Sequence, residues 1–342
     1  MDARLERVVR ERIERLPTGL RPKLSRDERI FFIDNPKSGG GTFAAYADWA
    51  VQLYGVLGYP VTLWRTERPR HAEELARRAA EQGATLIVTC SGDGGVRETV
   101  AGIMSLPLEK RPKLSVIPKG TANVLAKTVG LQVGPIPDLL QACFRQLYWA
   151  EERRLDVGFL NDAAFACFAG FGFDADLIDN VPAKDKRLLK EWAYLFAGLR
   201  TLFGWNATEK RFTPYRPPLM RVQGIDRDGR TVERTGYFVA IGNVADYGSR
   251  LFPFMQNARL DDGLLDVVVV ATRDLRELLH IGQQVVTRTH LRNPLVFSFQ
   301  SAQPLTVESL EEPVAMHVDC ELLSRAGHCT LRIEPAALRV LA

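Results

Sequence analysis

Three short segments carry residue types suited to holding a phosphorylated ligand. They are Asn35-Pro36-Lys37-Ser38-Gly39-Gly40-Gly41-Thr42, Cys90-Ser91-Gly92-Asp93-Gly94-Gly95 and Ile117-Pro118-Lys119-Gly120-Thr121-Ala122-Asn123. Glycines let backbone N–H groups approach phosphate oxygens, and the start of a following helix adds partial positive charge. The first segment lacks the GxxxxGK[ST] spacing of a Walker A loop, and taken alone it reads equally well as a tight turn. Asp93, between two glycines, has little side-chain cover, which leaves its carboxylate able to face a bound Mg2+ or a substrate hydroxyl. The competing reading is a cap on the helix that follows.

Each segment directly follows a short apolar run, at Ile30 to Ile33, Leu86 to Cys90 and Leu114 to Ile117. With a further strand at Val61 to Trp64 and helical spacing over Ala72 to Gln82 and Gly95 to Met104, the pattern predicts a parallel sheet covered by helices. In such a sheet, ligands bind at the carboxyl ends of the strands. Independent turns would not place small and hydroxyl residues at that one edge three times, so a nucleotide site is the better reading of all three.

From Leu155 the texture changes to strands with Gly and Asn turns, at Ala163 to Phe168, Leu219 to Val222, Gly236 to Ile241 and Leu265 to Val270. These predict an antiparallel sheet domain. Within it, Asp185 to Phe203 carries Leu188, Trp192, Leu195, Phe196 and Leu199 at helical spacing, as a core stripe or as the border of an acyl-chain site. The expected organisation is a charged extension over 1–29, an α/β nucleotide-binding domain over 30–150, a β-rich substrate domain over 151–330 and a segment over 331–342 returning to the first domain. The fold class is an open parallel-sheet α/β domain joined to an antiparallel β-sandwich, with a cleft between them.

At 342 residues, 46% hydrophobic and 25% charged, the composition is that of a two-domain globular protein. A formal charge of +4, with basic and acidic residues interleaved, shows no stripe for nucleic acid. Five cysteines without a CxxC pair argue against a disulfide framework and fit a reducing cytoplasm. The charged stretch Met1 to Arg29 has no apolar signal region, and no apolar run is long enough to span a bilayer. The predicted location is cytoplasmic, peripheral at the inner face of the membrane if the substrate is a lipid.

In order and spacing, Asn35-Pro36-Lys37-Ser38-Gly39, Ser91-Gly92-Asp93-Gly94 and Pro118-Lys119-Gly120-Thr121-Ala122-Asn123 resemble the NPxSG, (G/S)GDG and PxGTxN loops of the diacylglycerol kinase catalytic-domain family, which includes bacterial lipid kinases and sphingosine kinases. The resemblance continues through Leu155-Asp156-Val157-Gly158, Asn161, Ala169 to Asp174, Arg259 to Leu264 and Val318 to Glu321. It implies an ATP-dependent lipid kinase acting on a hydroxyl of diacylglycerol or a sphingoid base. Nucleotide contacts would come from Asn35, Lys37, Ser38, Gly39, Gly40, Gly41, Thr42, Ser91, Gly92, Asp93, Gly94, Gly95, Gly120, Thr121 and Asn123. The base would be Asp93, as in the sphingosine kinase branch, or Asp319, as in bacterial members, with Glu321 orienting it.

The resemblance further implies a Mg2+ held by the Asp262 side chain and the backbones of Arg259 and Leu264, where the residues alone read as a hairpin turn. The implied partner is a lipid at a membrane surface, not nucleic acid; a homodimer is admitted. Three positions depart from the family: Gly95 replaces Thr, Arg97 replaces Asn and Cys320 replaces Gly. The rival readings are an NAD kinase-like enzyme for a soluble metabolite and a catalytically weak nucleotide- or lipid-binding protein.

Overall fold

The computed structural model describes residues 7, 10, 11, 14, 15, 17–41, 45–120, 122–131, 137–172, 175, 176, 205, 206, 211, 212, 216–246 and 253–342. The chain forms two compact units, Met1–Leu155 with Ala337–Ala342, and Asp156–Ala336.

In the first unit, β1 (Ile30–Asp34), β2 (Val61–Arg65), β3 (Leu86–Ser91) and β4 (Lys113–Pro118) are parallel and lie in the order β2-β1-β3-β4. Every residue of β1 and β3 is buried, which explains why these strands read as unbroken apolar runs rather than alternating ones. The helices are α1 (Tyr46–Val56), α2 (His71–Glu81), α3 (Asp93–Met104), α4 (Val124–Thr128) and α5 (Pro137–Tyr148). α1 packs with α5, and α2 with α3. Phe32, Tyr54, Val88 and Phe144 share one apolar core. Its buried Tyr54 hydroxyl donates to Gln146 Oε1 at 3.1 Å, and the Gln146 amide donates to the Val116 carbonyl at 3.0 Å. Because β2 lies on one side of β1 and β3 on the other, the winding reverses between β1 and β3, where open sheets of this kind leave a crevice.

The second unit is built from β5 (Glu152–Leu160, whose first residues belong to the first unit), β6 (Ala163–Phe165), β7 (Phe168–Gly172), β8 (Trp205–Asn206), β9 (Arg211–Phe212), β10 (Met220–Ile225), β11 (Thr231–Gly236), β12 (Phe238–Gly242), β13 (Leu265–Val270), β14 (Val296–Ser301), β15 (Leu305–Ser309), β16 (Val314–Val318), β17 (Glu321–Ala326) and β18 (His328–Leu341). An antiparallel sheet runs β14-β13-β12-β7-β16-β17, and a second set of antiparallel strands runs β11-β10-β15-β18. Phe165, Phe171, Met220, Ile241, Val267, Val307 and Leu331 pack in one core, as a sandwich requires.

Two strands that the sequence pattern runs together are broken, each for a local reason. Ala163 to Phe168 stops at Phe165 because the amides of Ala166 and Cys167 turn to the Asp319 carboxylate. Gly236 to Ile241 is interrupted at Tyr237, where the chain leaves β10 and pairs instead with β13. The sequence reading named one convincing helix in this part of the chain, and its span, 185–203, lies outside the described residues. A helix that it did not name, α6 (Leu275–Val286), is present. The Asp274 side chain accepts from the amides of Arg276 and Glu277 at 2.9 and 3.1 Å, while Ile281 and Val285 are buried.

The two ends of the second unit meet at Asp156. Its carboxylate accepts from the Ala336 amide at 2.7 Å and from the Gly263 amide at 2.6 Å. Ala337–Ala342, the continuation of β18, belongs to the first unit, where Val340 pairs in parallel with Leu114 of β4.

β16 and β17 are joined by Asp319 and Cys320, with φ of 47° and 64° and Val318 paired to Glu321. Positive φ at both central residues of a two-residue loop is the geometry that favours glycine at the second position. Replacing Cys320 by Gly should stabilise the protein by about 0.5–1 kcal/mol, the cost of a side chain in the left-handed region less the flexibility gained by the unfolded chain. The midpoint of urea unfolding should rise; a fall would show that the thiol contributes more than the turn costs.

Candidate active site

The three loops at the carboxyl ends of β1, β3 and β4 are bonded to one another pairwise. Between the first and second, Ser38 Oγ lies 3.2 Å from Ser91 Oγ and accepts from the Gly92 amide at 3.2 Å. Between the second and third, a Cβ placed on Gly120 would lie 2.6 Å from the Gly92 Cα, so backbone touches backbone and neither loop has room for a side chain there. Between the first and third, Lys119 Nζ donates to Asp34 Oδ1 at 2.6 Å and to the Asn35 carbonyl at 3.2 Å. Within the loops, Asn35 Oδ1 accepts from the Lys37 amide at 3.0 Å, and Asn123 accepts from the Gly120 amide and donates to its carbonyl at 2.9 and 2.8 Å. Asn123 holds φ of 48°, a value that asparagine tolerates better than most residues. Ser38, Gly39, Gly40 and Gly41 form a single 3-10 turn.

Asp93 is not the loosely covered carboxylate that its glycine neighbours suggest. Its Oδ2 accepts from the Asn123 amide at 2.7 Å and its Oδ1 from the Val124 amide at 2.6 Å, so it caps α4 in the next loop rather than its own helix. Burial pushes the carboxyl above its ordinary pKa, and those two amide bonds, with Lys127 nearby, oppose the rise. Gly94 faces open space. Thr42 and Thr121 lie outside the described residues.

The change of Thr to Gly at position 95 has a steric partner. A Cβ on Gly95 would lie 2.0 Å from Ser91 Oγ, so the Ser91 hydroxyl occupies the space that a side chain at 95 would enter. Gly95→Thr should therefore destabilise by about 2 kcal/mol as an overpacked substitution. Adding Ser91→Gly should recover most of that loss. Unfolding midpoints of the two single variants and the double form the cycle, and purely additive effects would refute the exchange.

In the second unit, Asp319 Oδ1 accepts from the amides of Cys167 and Phe168 at 3.0 and 2.9 Å, and Oδ2 from that of Ala166 at 2.9 Å. Backbone donors thus orient this carboxylate. At the acidic turn, Asp262 Oδ1 accepts from the Leu264 amide at 3.1 Å, and Arg259 lies 3.6 Å from Asp261. Burial and then the neighbouring Asp156 push the Asp262 carboxyl up, against the pull of the Leu264 amide. Asp266, buried and held by Gln300, is pushed up to about 6, chiefly by burial and further by Asp262. Such mutual crowding of carboxylates is what a divalent cation relieves. Among the described residues no three His, Cys, Asp or Glu side chains are placed to hold a metal, so a cation at this turn would take most of its ligands from backbone carbonyls.

Asp34, Arg65 and Lys119 were missed by the sequence reading, which looked for glycine and hydroxyl residues at strand ends. The available signal was an acidic residue closing the apolar run Ile30 to Ile33 and a lysine just past Pro118, which ends the run Leu114 to Ile117.

The family described as the diacylglycerol kinase catalytic domain matches residues 29–160, and that described as the YegS C-terminal NAD kinase β-sandwich-like domain matches residues 168–342. A Chromohalobacter salexigens protein named "Probable lipid kinase YegS-like" is 36% identical over 211 residues, 60% of this chain and 61% of that protein. The diacylglycerol kinase of Bacillus subtilis is 27% identical over 86% of this chain and 90% of its own length. The crystal structure of a diacylglycerol kinase from Bacillus anthracis has the same fold, with a TM-score of 0.65 at 21% identity, covering 92% of this chain and 96% of that one. Two matched domains in sequence, on the parallel-sheet unit and the sandwich unit just described, place the chain in the diacylglycerol kinase catalytic-domain family of lipid kinases.

Proposed function

We propose that this lipid kinase moves the γ-phosphate of ATP to a hydroxyl of a membrane lipid such as diacylglycerol or a sphingoid base. The observation that carries the reading is the closed triangle of loops at the ends of β1, β3 and β4, beside the point where the sheet winding reverses. Phosphoryl transfer asks a protein mainly for alignment and charge neutralisation, and loops tied together in this way keep their amides and hydroxyls in fixed relation.

Asp93 serves as proton acceptor for the attacking hydroxyl. It is half-buried, its pKa is raised, and the amides it accepts leave part of its lone-pair capacity open. The rival, Asp319, is the more buried of the two, at 8% exposed, and its oxygens hold the amides of Ala166, Cys167 and Phe168, which favours an anchoring role. Mg2+ bound at Asp262 and the carbonyls of Arg259 and Leu264 would supply positive charge to the crowded turn. No helix among the described residues is long and apolar enough to cross a membrane, which is compatible with a kinase that meets its lipid at the surface.

Labelled phosphate transfer from ATP should be run against diacylglycerol, a sphingoid base, ceramide and NAD. Label in a lipid is expected; label only in NAD, or none, overturns the reading. Asp262→Ala should raise the Mg2+ concentration for half-maximal turnover by about tenfold while ATP binding persists. An unchanged Mg2+ titration would make the turn a plain one.

A further inference from the structure

The pair Asp34 and Lys119 is costly where it stands. Asp34, the last residue of β1, and Lys119, the first after β4, both have side chains of 0% exposure. β3 lies between those strands, so the lysine stem crosses a strand to reach its partner, spanning two strand spacings of about 4.8 Å each. Buried Cys90 on β3 feels both charges. Arg65, closing β2, brings its Nε to 3.6 Å from Asp34 Oδ2 and grips Asp48 of α1 at 2.6 Å. Asp34 Oδ2 itself has no hydrogen-bond partner among the described residues.

Desolvating an ammonium and a carboxylate costs about as much as their attraction returns, and well-packed apolar residues would serve stability as well or better. What apolar residues cannot supply is a directional tie. The ammonium holds the carboxylate at the end of β1 and also the carbonyl of Asn35, the first residue of the phosphate loop, so one side chain of the third loop sets where the first begins.

We propose that Asp34 and Lys119 are a positioning pair that fixes the separation of the first and third loops to suit the triphosphate of the nucleotide. The inference rests on the reading of these loops as an ATP site. Neither residue touches the reacting atoms; the pair acts through Asn35 and the turn after it.

The test separates stability from binding. Lys119→Met leaves Asp34 buried without its partner and should lower the unfolding midpoint markedly. Asp34→Leu/Lys119→Met, an apolar pair, should recover most of that stability. In the double variant the KM for ATP and its Kd by calorimetry should both stay about tenfold above wild type, with kcat within about threefold. A double variant that is stable and binds ATP as tightly as wild type overturns the proposal, since a purely structural pair predicts that result. If the double variant does not fold, Lys119→Arg is read instead: it keeps the charge but alters the reach, and should raise KM with kcat nearly unchanged, while a wild-type KM overturns the proposal. Wild-type protein that shows no ATP binding sinks the ATP-site reading itself, and the positioning role with it.

Discussion

Asp93→Asn should lower labelled phosphate transfer to lipid by about three orders of magnitude, the range lost when a proton acceptor in phosphoryl transfer is neutralised. The structure adds a second, smaller effect. An asparagine can accept from only one of the amides of Asn123 and Val124, and its NH2 group faces the other, at a cost of about 1–3 kcal/mol. Activity should fall far more than stability, which a urea titration beside the assay will show. Because burial raises this carboxyl, the acidic limb of kcat/KM in the wild type should lie at higher pH than an exposed aspartate would give. Near-normal turnover in the folded variant would remove Asp93 from the chemistry.

Asp319→Ala should have the largest effect on folding, on the order of 4 kcal/mol, because it removes the acceptor of three buried amides, those of Ala166, Cys167 and Phe168. Asp319→Asn keeps part of that acceptor and should lose less, about 1–3 kcal/mol. Measured where it is folded, the Asn variant should retain turnover within about tenfold of wild type, as expected of an anchor. A loss of three orders of magnitude would reassign the base to Asp319.

The parallel strands were legible because strands buried on both faces read as continuous apolar runs: β1, β3 and β4 fall within a residue of where Ile30, Leu86 and Leu114 announce them. The loops after them were legible from their glycines, although for partly different reasons than glycine chemistry suggests. Gly92 and Gly120 are small because two backbones touch, and Gly95 because Ser91 fills its place. What sequence could not give is partnership across distance. Nothing near Asp93 says that its oxygens will cap a helix thirty residues on, and nothing near Lys119 says that it will be buried against the end of β1. The break in Ala163 to Phe168 is of the same kind, since its cause is a carboxylate some 150 residues away. α6 was legible and overlooked: Asp274 with Glu277 three residues later, before Leu278, Ile281 and Val285, is a start signal with the right period.

The hydrogen bond from Ala336 to Asp156 closes the second unit into a loop whose exit lies beside its entrance, and Ala337–Ala342 then rejoin the first unit next to β4. During translation, therefore, the strand that flanks β4 is made only after the whole of the second unit. Until then β4 is an unprotected sheet edge in the nascent chain, open to mispairing. Interruption of the chain before Ala337–Ala342, by premature termination or proteolysis, would strike the sheet that carries the phosphate loops, though those residues stand more than 200 positions away from the nearest of them.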